Sequence, residues 1–130
     1  MKSGIVWVNG CFDILHIGHI KLLNYAKSLG EFLIVGIDSD DRVKRNKGTN
    51  RPFNNQGNRL EMLLSLKCVD TVVVFDSDET LISLIKHLKP EHMVVGEEYK
   101  DKVIGGEFAG KLHYFKRIPD FSSTYYIDNI

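Results

Sequence analysis

The chain has 130 residues, 43% of them hydrophobic, and its 17 Lys plus Arg are balanced by 17 Asp plus Glu. That length builds one core without disulfides or a structural metal, and the balanced charge gives no reason to expect nucleic acid or an anionic membrane as the partner. Cys11 and Cys68 form no C-x-x-C pair and the apolar stretch before Asn9 is too short for a signal peptide or a membrane span, so the expectation is one soluble, cytoplasmic domain over residues 1–130.

Ile5-Val6-Trp7-Val8 is a continuous apolar run ending at Asn9-Gly10, the pattern of a strand buried on both faces at the centre of a sheet. From Gly18 onward Leu22, Ala26 and Leu29 recur at helical spacing, widened by Ile20 and Leu23, and Gly30 stops the helix. Phe32-Leu33-Ile34-Val35-Gly36-Ile37 repeats the buried-strand pattern, so the first third predicts a right-handed βαβ unit. Residues 38–58 hold few large apolar side chains and read as a long functional loop with one helical turn. Leu60, Met62, Leu63 and Leu64 give a short helix, and Thr71-Val72-Val73-Val74-Phe75 a third strand. Asp78 caps a helix with core face Leu81, Ile82, Ile85 and Leu88, which Lys89-Pro90 ends. His92-Met93-Val94-Val95 and residues 111–115 predict two further strands, and Ser122 begins a terminal helix or turn. The expected class is α/β: a Rossmann-like open, mostly parallel sheet of about five strands, helices on both faces, and a crevice beyond the strands' C-terminal ends.

The chemistry-bearing residues follow the first strand. Gly10 lets the backbone turn or a ligand approach closely. Asp13 and His16 precede a helix N-terminus, whose unpaired N–H groups and partial positive charge suit a phosphate. His16 and His19, three residues apart, can donate to one anion whose charge grows in a transition state, as phosphoryl or nucleotidyl transfer requires. The residues alone leave a second reading open, with His16 packed as a satisfied polar side chain and His19 capping the turn. Zinc would need a third ligand, and none stands at a recognisable spacing. Asp13 either orients a histidine or caps the helix. Cys11 has no group to activate it and reads as packing or a backbone contact rather than a nucleophile.

The run from Gly10 through Cys11, Phe12, Asp13, His16 and Gly18 to His19 resembles the G-x-F-D-x-x-H-x-G-H signature of the cytidylyltransferase-like nucleotidyltransferases. The likeness continues in order through Lys44-Arg45-Asn46-Lys47-Gly48, Arg51-Pro52, Arg59 and Phe121-Ser122-Ser123-Thr124, covering nearly the whole chain. It implies that His16 and His19 contact the nucleotide phosphates and stabilise the pentacoordinate α-phosphate, within a nucleotide site formed by Gly10, Cys11, Phe12, Asp13 and Gly18. It implies that Lys44 and Lys47, on a mobile loop, hold the acceptor phosphate and the triphosphate. By the same resemblance Arg51 and Arg59 reach the substrate phosphates, Ser122, Ser123 and Thr124 bind the β- and γ-phosphates, and Arg117 matches an arginine of glycerol-3-phosphate cytidylyltransferases. Singly, the lysines would read as a solvated basic face, Ser122 as an N-cap and Arg51 as a loop-fixing residue before proline. Their joint order after the histidine motif favours the binding reading. The resemblance further implies Mg²⁺ arriving with the nucleotide rather than in an all-protein cage, and a homodimer.

Residues 39–54 and the run Cys68-Val69-Asp70, Val72-Val73 and Phe75-Asp76 resemble adenylyltransferases acting on heptose 1-phosphate, which favours ATP. Gly96-Glu97-Glu98-Tyr99 instead departs from their K-G-G-D-Y towards the G-D-D-W of glycerol-3-phosphate cytidylyltransferases, with Val95 replacing the lysine. Such a change alters the hydrogen bonds the pocket offers, and Gly96, Glu97 and Tyr99 become the residues that select the nucleotide. Attack of a sugar or polyol phosphate on the α-phosphorus, releasing pyrophosphate, is the expected reaction; a nucleotide-binding protein without activity is the rival from another class.

Overall fold

A computed structural model describes residues 4–116. Its sheet has five strands, β1 (Ile5–Gly10), β2 (Phe32–Asp38), β3 (Thr71–Phe75), β4 (His92–Gly96) and β5 (Lys111–Phe115), in the order β3-β2-β1-β4-β5. Every neighbouring pair is parallel, so the expected mostly parallel sheet is parallel throughout the described residues, with β1 at its centre. The helices are α1 (Ile17–Leu29), α2 (Asp40–Lys47), α3 (Gln56–Leu64) and α4 (Asp78–Leu88).

Period-two alternation along β1 divides the core in two. Val6 and Val8 pack with Leu23 and Ala26 of α1 and Leu63 of α3 on one face. Trp7 points the other way, into Ile34, Phe75 and Met93 under Leu81 and Ile85 of α4. Helices therefore cover both faces, as the two-sided burial of these strands requires. None of the described helices is long and apolar enough to cross a membrane.

Pairing along β1 is lopsided. It holds β2 over six residues, from Ile5 with Phe32 to Gly10 with Ile37, but meets β4 only at Val6 with His92 and Trp7 with Met93. Beyond Trp7 the two central strands part, and the chain's excursion to β2 and β3 on one side and to β4 and β5 on the other leaves a crevice at that switch point.

The stretch 38–58 departs from the long loop expected. Its first half is α2, whose Ser39 N-cap accepts from the Arg42 N–H, with Asp40 and Asp41 in the first turn and Lys44, Arg45 and Lys47 in the last. That charge order suits the helix dipole. Val43 is its one buried residue, so the helix carries almost no apolar periodicity to read. Ion pairs hold it down instead: Arg42 joins Asp38 and Asp78 at 2.7 Å each and lies over the Phe75 ring. Two caps also differ from expectation. Ser77, not Asp78, accepts from the Thr80 N–H to start α4, and α1 starts on His16. The expected terminal helix or turn at Ser122 lies outside the described residues.

Gly36, in β2, lies against the indole of buried Trp7, and a Cβ there would come within 2.5 Å of Trp7 Cζ2. Both are fixed in the sheet, so Gly36→Ala should cost about 1–3 kcal/mol by overpacking. Urea denaturation of the variant checks this; an unchanged midpoint would contradict the packing described.

Candidate active site

The loop from β1 to α1 is bent at Phe12, whose φ of 50° is the left-handed region that non-glycine side chains seldom adopt. The bend buries the Phe12 ring beneath Gly10 and against His19, at 5.1 Å between ring centroids. His16 then stands as the N-cap of α1. Its Nδ1 accepts from the Gly18 N–H at 3.1 Å and its side chain also takes the N–H of His19; His19 Nδ1 in turn accepts from the His16 N–H at 3.3 Å. This is a capping box made of two imidazoles where Ser or Thr and Glu are usual.

The arrangement shows the capping reading of H-x-x-H, with both histidines taking part in the cap. Helix N–H groups expected to be open to a phosphate are taken up by the histidines themselves. With Nδ1 accepting on each ring, the proton of the neutral imidazole sits on Nε2. The rings stack at 3.8 Å between centroids, and both line the crevice. Burial first, then His16 and the charge of Lys47, lower the His19 pKa to about 3. It is therefore a neutral hydrogen-bond donor at physiological pH.

The crevice has a volume of about 700 Å³ and lies at the carboxyl ends of the strands, where Gly10, Asp38, Gly96 and Phe115 all reach it. Gly10, Cys11, Phe12, His16, Gly18 and His19 form one wall and Lys47 stands at the end of α2. Val95, Gly96, Glu98 and Tyr99 contribute the β4 side, continued by Lys102 in a 3₁₀ helix, Glu97–Lys102. Glu97, expected here, does not line the crevice; Glu98 does, its carboxylate folded over Gly96. Alternate residues leaving a strand end point to different sides, and the helical turn after Gly96 turns Glu98 inward. Burial raises the Cys11 thiol's pKa despite Lys47 and Arg59 nearby, which keeps it protonated and suits packing rather than attack.

Lys44 is exposed one turn before Lys47 and is not a crevice residue. Three other expected residues have different surroundings. Asp13 is 1% exposed and neither orients a histidine nor caps α1: its carboxylate accepts from the N–H groups of Phe53 and Asn54, both at 2.8 Å. It clamps the loop after α2 to the histidine loop. Arg51, on that loop, reaches Asp13 at 3.6 Å, while its Nε and Nη2 are buried without a hydrogen-bond partner among the described residues. Arg59, expected to touch substrate, is 1% exposed and fully engaged within the protein, donating to carbonyls of Cys11, Asp38 and Asn54 and to the Asp40 carboxylate. A substrate phosphate would have to displace those partners, so the substrate-contact expectation for Arg59 is replaced by a structural one. Arg117, Ser122, Ser123 and Thr124 lie outside the described residues.

The depressed His19 pKa links the site to stability. Unfolded, the imidazole takes its proton near pH 6.5; folded, it stays neutral until about pH 3. The unfolded chain thus binds more protons across that window, and acidification drains stability. Between pH 7 and 5 this group alone should remove about 2 kcal/mol. In His19→Gln the stability measured by urea denaturation should be lower at pH 7 but flatter down to pH 5. An equally steep fall in parent and variant would refute the burial of a neutral His19.

Comparison with known proteins follows the same outline. Over 130 residues the chain is 48% identical to the bifunctional protein HldE of Helicobacter hepaticus, covering 99% of this chain and 27% of that protein. It is 47% identical over 132 residues to the HldE of Campylobacter fetus, covering 99% and 29% respectively. The chain thus spans less than a third of the length of the curated relatives it matches. Among solved structures, the lipopolysaccharide core biosynthesis protein of Thermoplasma volcanium superposes with a TM-score of 0.71 at 27% identity, over 88% of this chain and 97% of that one. Pantoate-beta-alanine ligase of Francisella tularensis shares the fold at a TM-score of 0.67 and 19% identity, over 98% of this chain and 66% of that one. The cytidylyltransferase-like family model matches residues 7–129, from the central strand through the whole histidine motif, and the chain belongs to that family of nucleotidyltransferases.

Proposed function

We propose that the chain transfers the adenylyl group of ATP to the phosphate of a sugar phosphate such as heptose 1-phosphate, releasing pyrophosphate. The observation that carries this is the pair of stacked imidazoles on the crevice wall, each with Nδ1 tied to the α1 backbone and its proton on Nε2. ATP is favoured by the likeness of residues 39–54 and 68–76 to adenylyltransferases. The T. volcanium neighbour's connection to lipopolysaccharide core synthesis supports a sugar phosphate as acceptor.

In this reading an acceptor phosphate oxygen attacks the α-phosphorus in line. The new P–O bond forms as the bond to the bridging α–β oxygen breaks, and pyrophosphate departs with the electron pair. No covalent enzyme intermediate is needed. His16 and His19 donate from Nε2 to non-bridging oxygens as charge accumulates, and because they are neutral and fixed they need no reorganisation at that moment. Lys47, and Lys44 one turn earlier on α2, add charge against the triphosphate and the acceptor. Arg51, whose buried Nε and Nη2 lack hydrogen-bond partners among the described residues, is assigned to the acceptor phosphate. Mg²⁺ bound to the triphosphate would offset its charge, and Glu98 is the crevice carboxylate that would hold it, the Asp38 carboxylate being paired with Arg42. Arg117 and the Ser122-Ser123-Thr124 turn belong to the nucleotide site in the same reading. Cytoplasmic location, with both cysteines free, and a homodimer complete it.

The second reading is transfer from CTP to glycerol 3-phosphate or a similar polyol phosphate, favoured by Val95, in the crevice, and Glu97, beside it in sequence, where the heptose enzymes resembled have Lys and Gly. Pyrophosphate release from ATP and CTP with a panel of sugar and polyol phosphates separates the two. ATP with a sugar phosphate should exceed every CTP pair by at least about tenfold in kcat/KM. His16→Ala and His19→Ala should each lower kcat by about a hundredfold or more, as loss of a fixed donor to developing charge does. Tight nucleotide binding with no release from any acceptor would favour a binding protein without activity.

A further inference from the structure

Arg59 is, with Asp13, the least exposed charged group of the site's surroundings, and it makes four hydrogen bonds. It belongs to α3, which contributes no residue to the crevice. Its guanidinium nonetheless reaches three segments that build it. Nη1 donates to the Cys11 carbonyl on the histidine loop at 2.9 Å and to the Asp38 carbonyl at the end of β2 at 2.8 Å. Nη2 donates to Asp40 Oδ1, on the first residue of α2, at 2.8 Å. Nε holds the Asn54 carbonyl at 2.9 Å, beside the Asp13 clamp.

Burying a guanidinium so completely does not of itself favour folding, since lost hydration offsets the ion pair. What the fork supplies is fixed relative geometry: planar, with donors at set angles, it specifies where four acceptors lie. The other charged contacts of α2 join Arg42 and Arg45 to Asp38, Asp76 and Asp78 and do not reach the histidine loop. Arg59 alone among the described residues ties both the α2 N-terminus and the histidine loop to one rigid group.

We propose that Arg59, acting through Asp40, is the positioning residue that sets Lys47 against His16 and His19. Lys47 ends the helix that Asp40 begins, about 10 Å further along the axis at 1.5 Å per residue, so a small tilt at Asp40 becomes a displacement of the lysine. Misplacement of a charged group by about 1 Å can cost up to a hundredfold in rate. The proposal rests on the phosphate-directed roles of Lys47 and the two histidines given above.

The test is a double-mutant cycle on the full chain, read in both kcat for pyrophosphate release and the dissociation constant for ATP. Asp40→Asn removes the charge that pairs with Arg59 while leaving a residue of the same shape. It should lower kcat by about tenfold in the parent and change it less than about twofold in a Lys47→Ala background. Asp41→Asn, which removes the same charge from the same turn without touching Arg59, should leave kcat within about twofold of the parent, separating positioning from helix-dipole loss. Arg59→Lys, which keeps the charge but not the fork, should reproduce the Asp40→Asn loss and the same dependence on Lys47. Equal losses in the two backgrounds, or an unchanged kcat in Asp40→Asn, would overturn the proposal. If the parent released no pyrophosphate from any acceptor the proposed reaction would fall, while coupling between Asp40 and Lys47 in ATP affinity would still decide the positioning role. Full additivity in affinity would then reject it.

Discussion

The site is organised by an obligation of the backbone. A helix beginning at the end of a buried parallel strand brings its first N–H groups to the wall of the crevice, where those that are buried must find an acceptor. Here His16 and His19 supply those acceptors through Nδ1. A Ser or Asp cap would meet the same obligation and offer little to a ligand. An imidazole that accepts on one nitrogen carries its proton on the other, so each cap presents a donor in a fixed direction. Structural necessity and the proposed phosphate recognition thus use opposite edges of the same two rings.

Everything around the pair maintains that condition. The early end of β1–β4 pairing opens the crevice beside them. Phe12, bent into the left-handed region, packs its ring against His19 and reduces its exposure. Lys47 adds a positive charge close enough to oppose protonation of His19 further. Asp13 and Arg59, which carry no exposed charge of their own, stitch the histidine loop to the segment running from β2 through α2 to α3. Buried ionic groups of this kind define geometry more than they add stability.

Much of this was legible in the residues. Continuous apolar runs gave β1, β2 and β3, because a strand in the middle of a covered sheet has few polar positions to blur its limits, whereas β4 and the half-exposed edge strand β5, with His92, Lys111 and His113 among their residues, carried a weaker pattern. The helical stripes of α1 and α4 were equally plain. Helix α2 was not, since it buries only Val43 and is held by charges whose partners, Asp76 and Asp78, lie more than thirty positions away. The same blindness to distant partners governed the site. Spacing identified His16 and His19 as neighbours on one helix turn but could not tell caps from ligands, because the caps use only half of each ring. Asp13 and Arg59 stood in the right motif, yet their burial depends on carbonyls and N–H groups contributed by other segments, which sequence order does not display. Glu98 rather than Glu97 faces the crevice because the chain turns into a 3₁₀ helix after Gly96, a local choice no periodicity marks.

The most direct measurement is the protonation pattern of the two rings themselves. Long-range ¹H–¹⁵N correlation spectra of the histidine side chains, followed through an acid titration, report which nitrogen carries the proton. Neutral rings protonated on Nε2 at pH 7 are expected for both His16 and His19, with His19 keeping that signature until the solution approaches about pH 3. A proton on Nδ1 of either ring, or a His19 that becomes imidazolium near its ordinary value of 6.5, would contradict the capping arrangement and the donor role built on it.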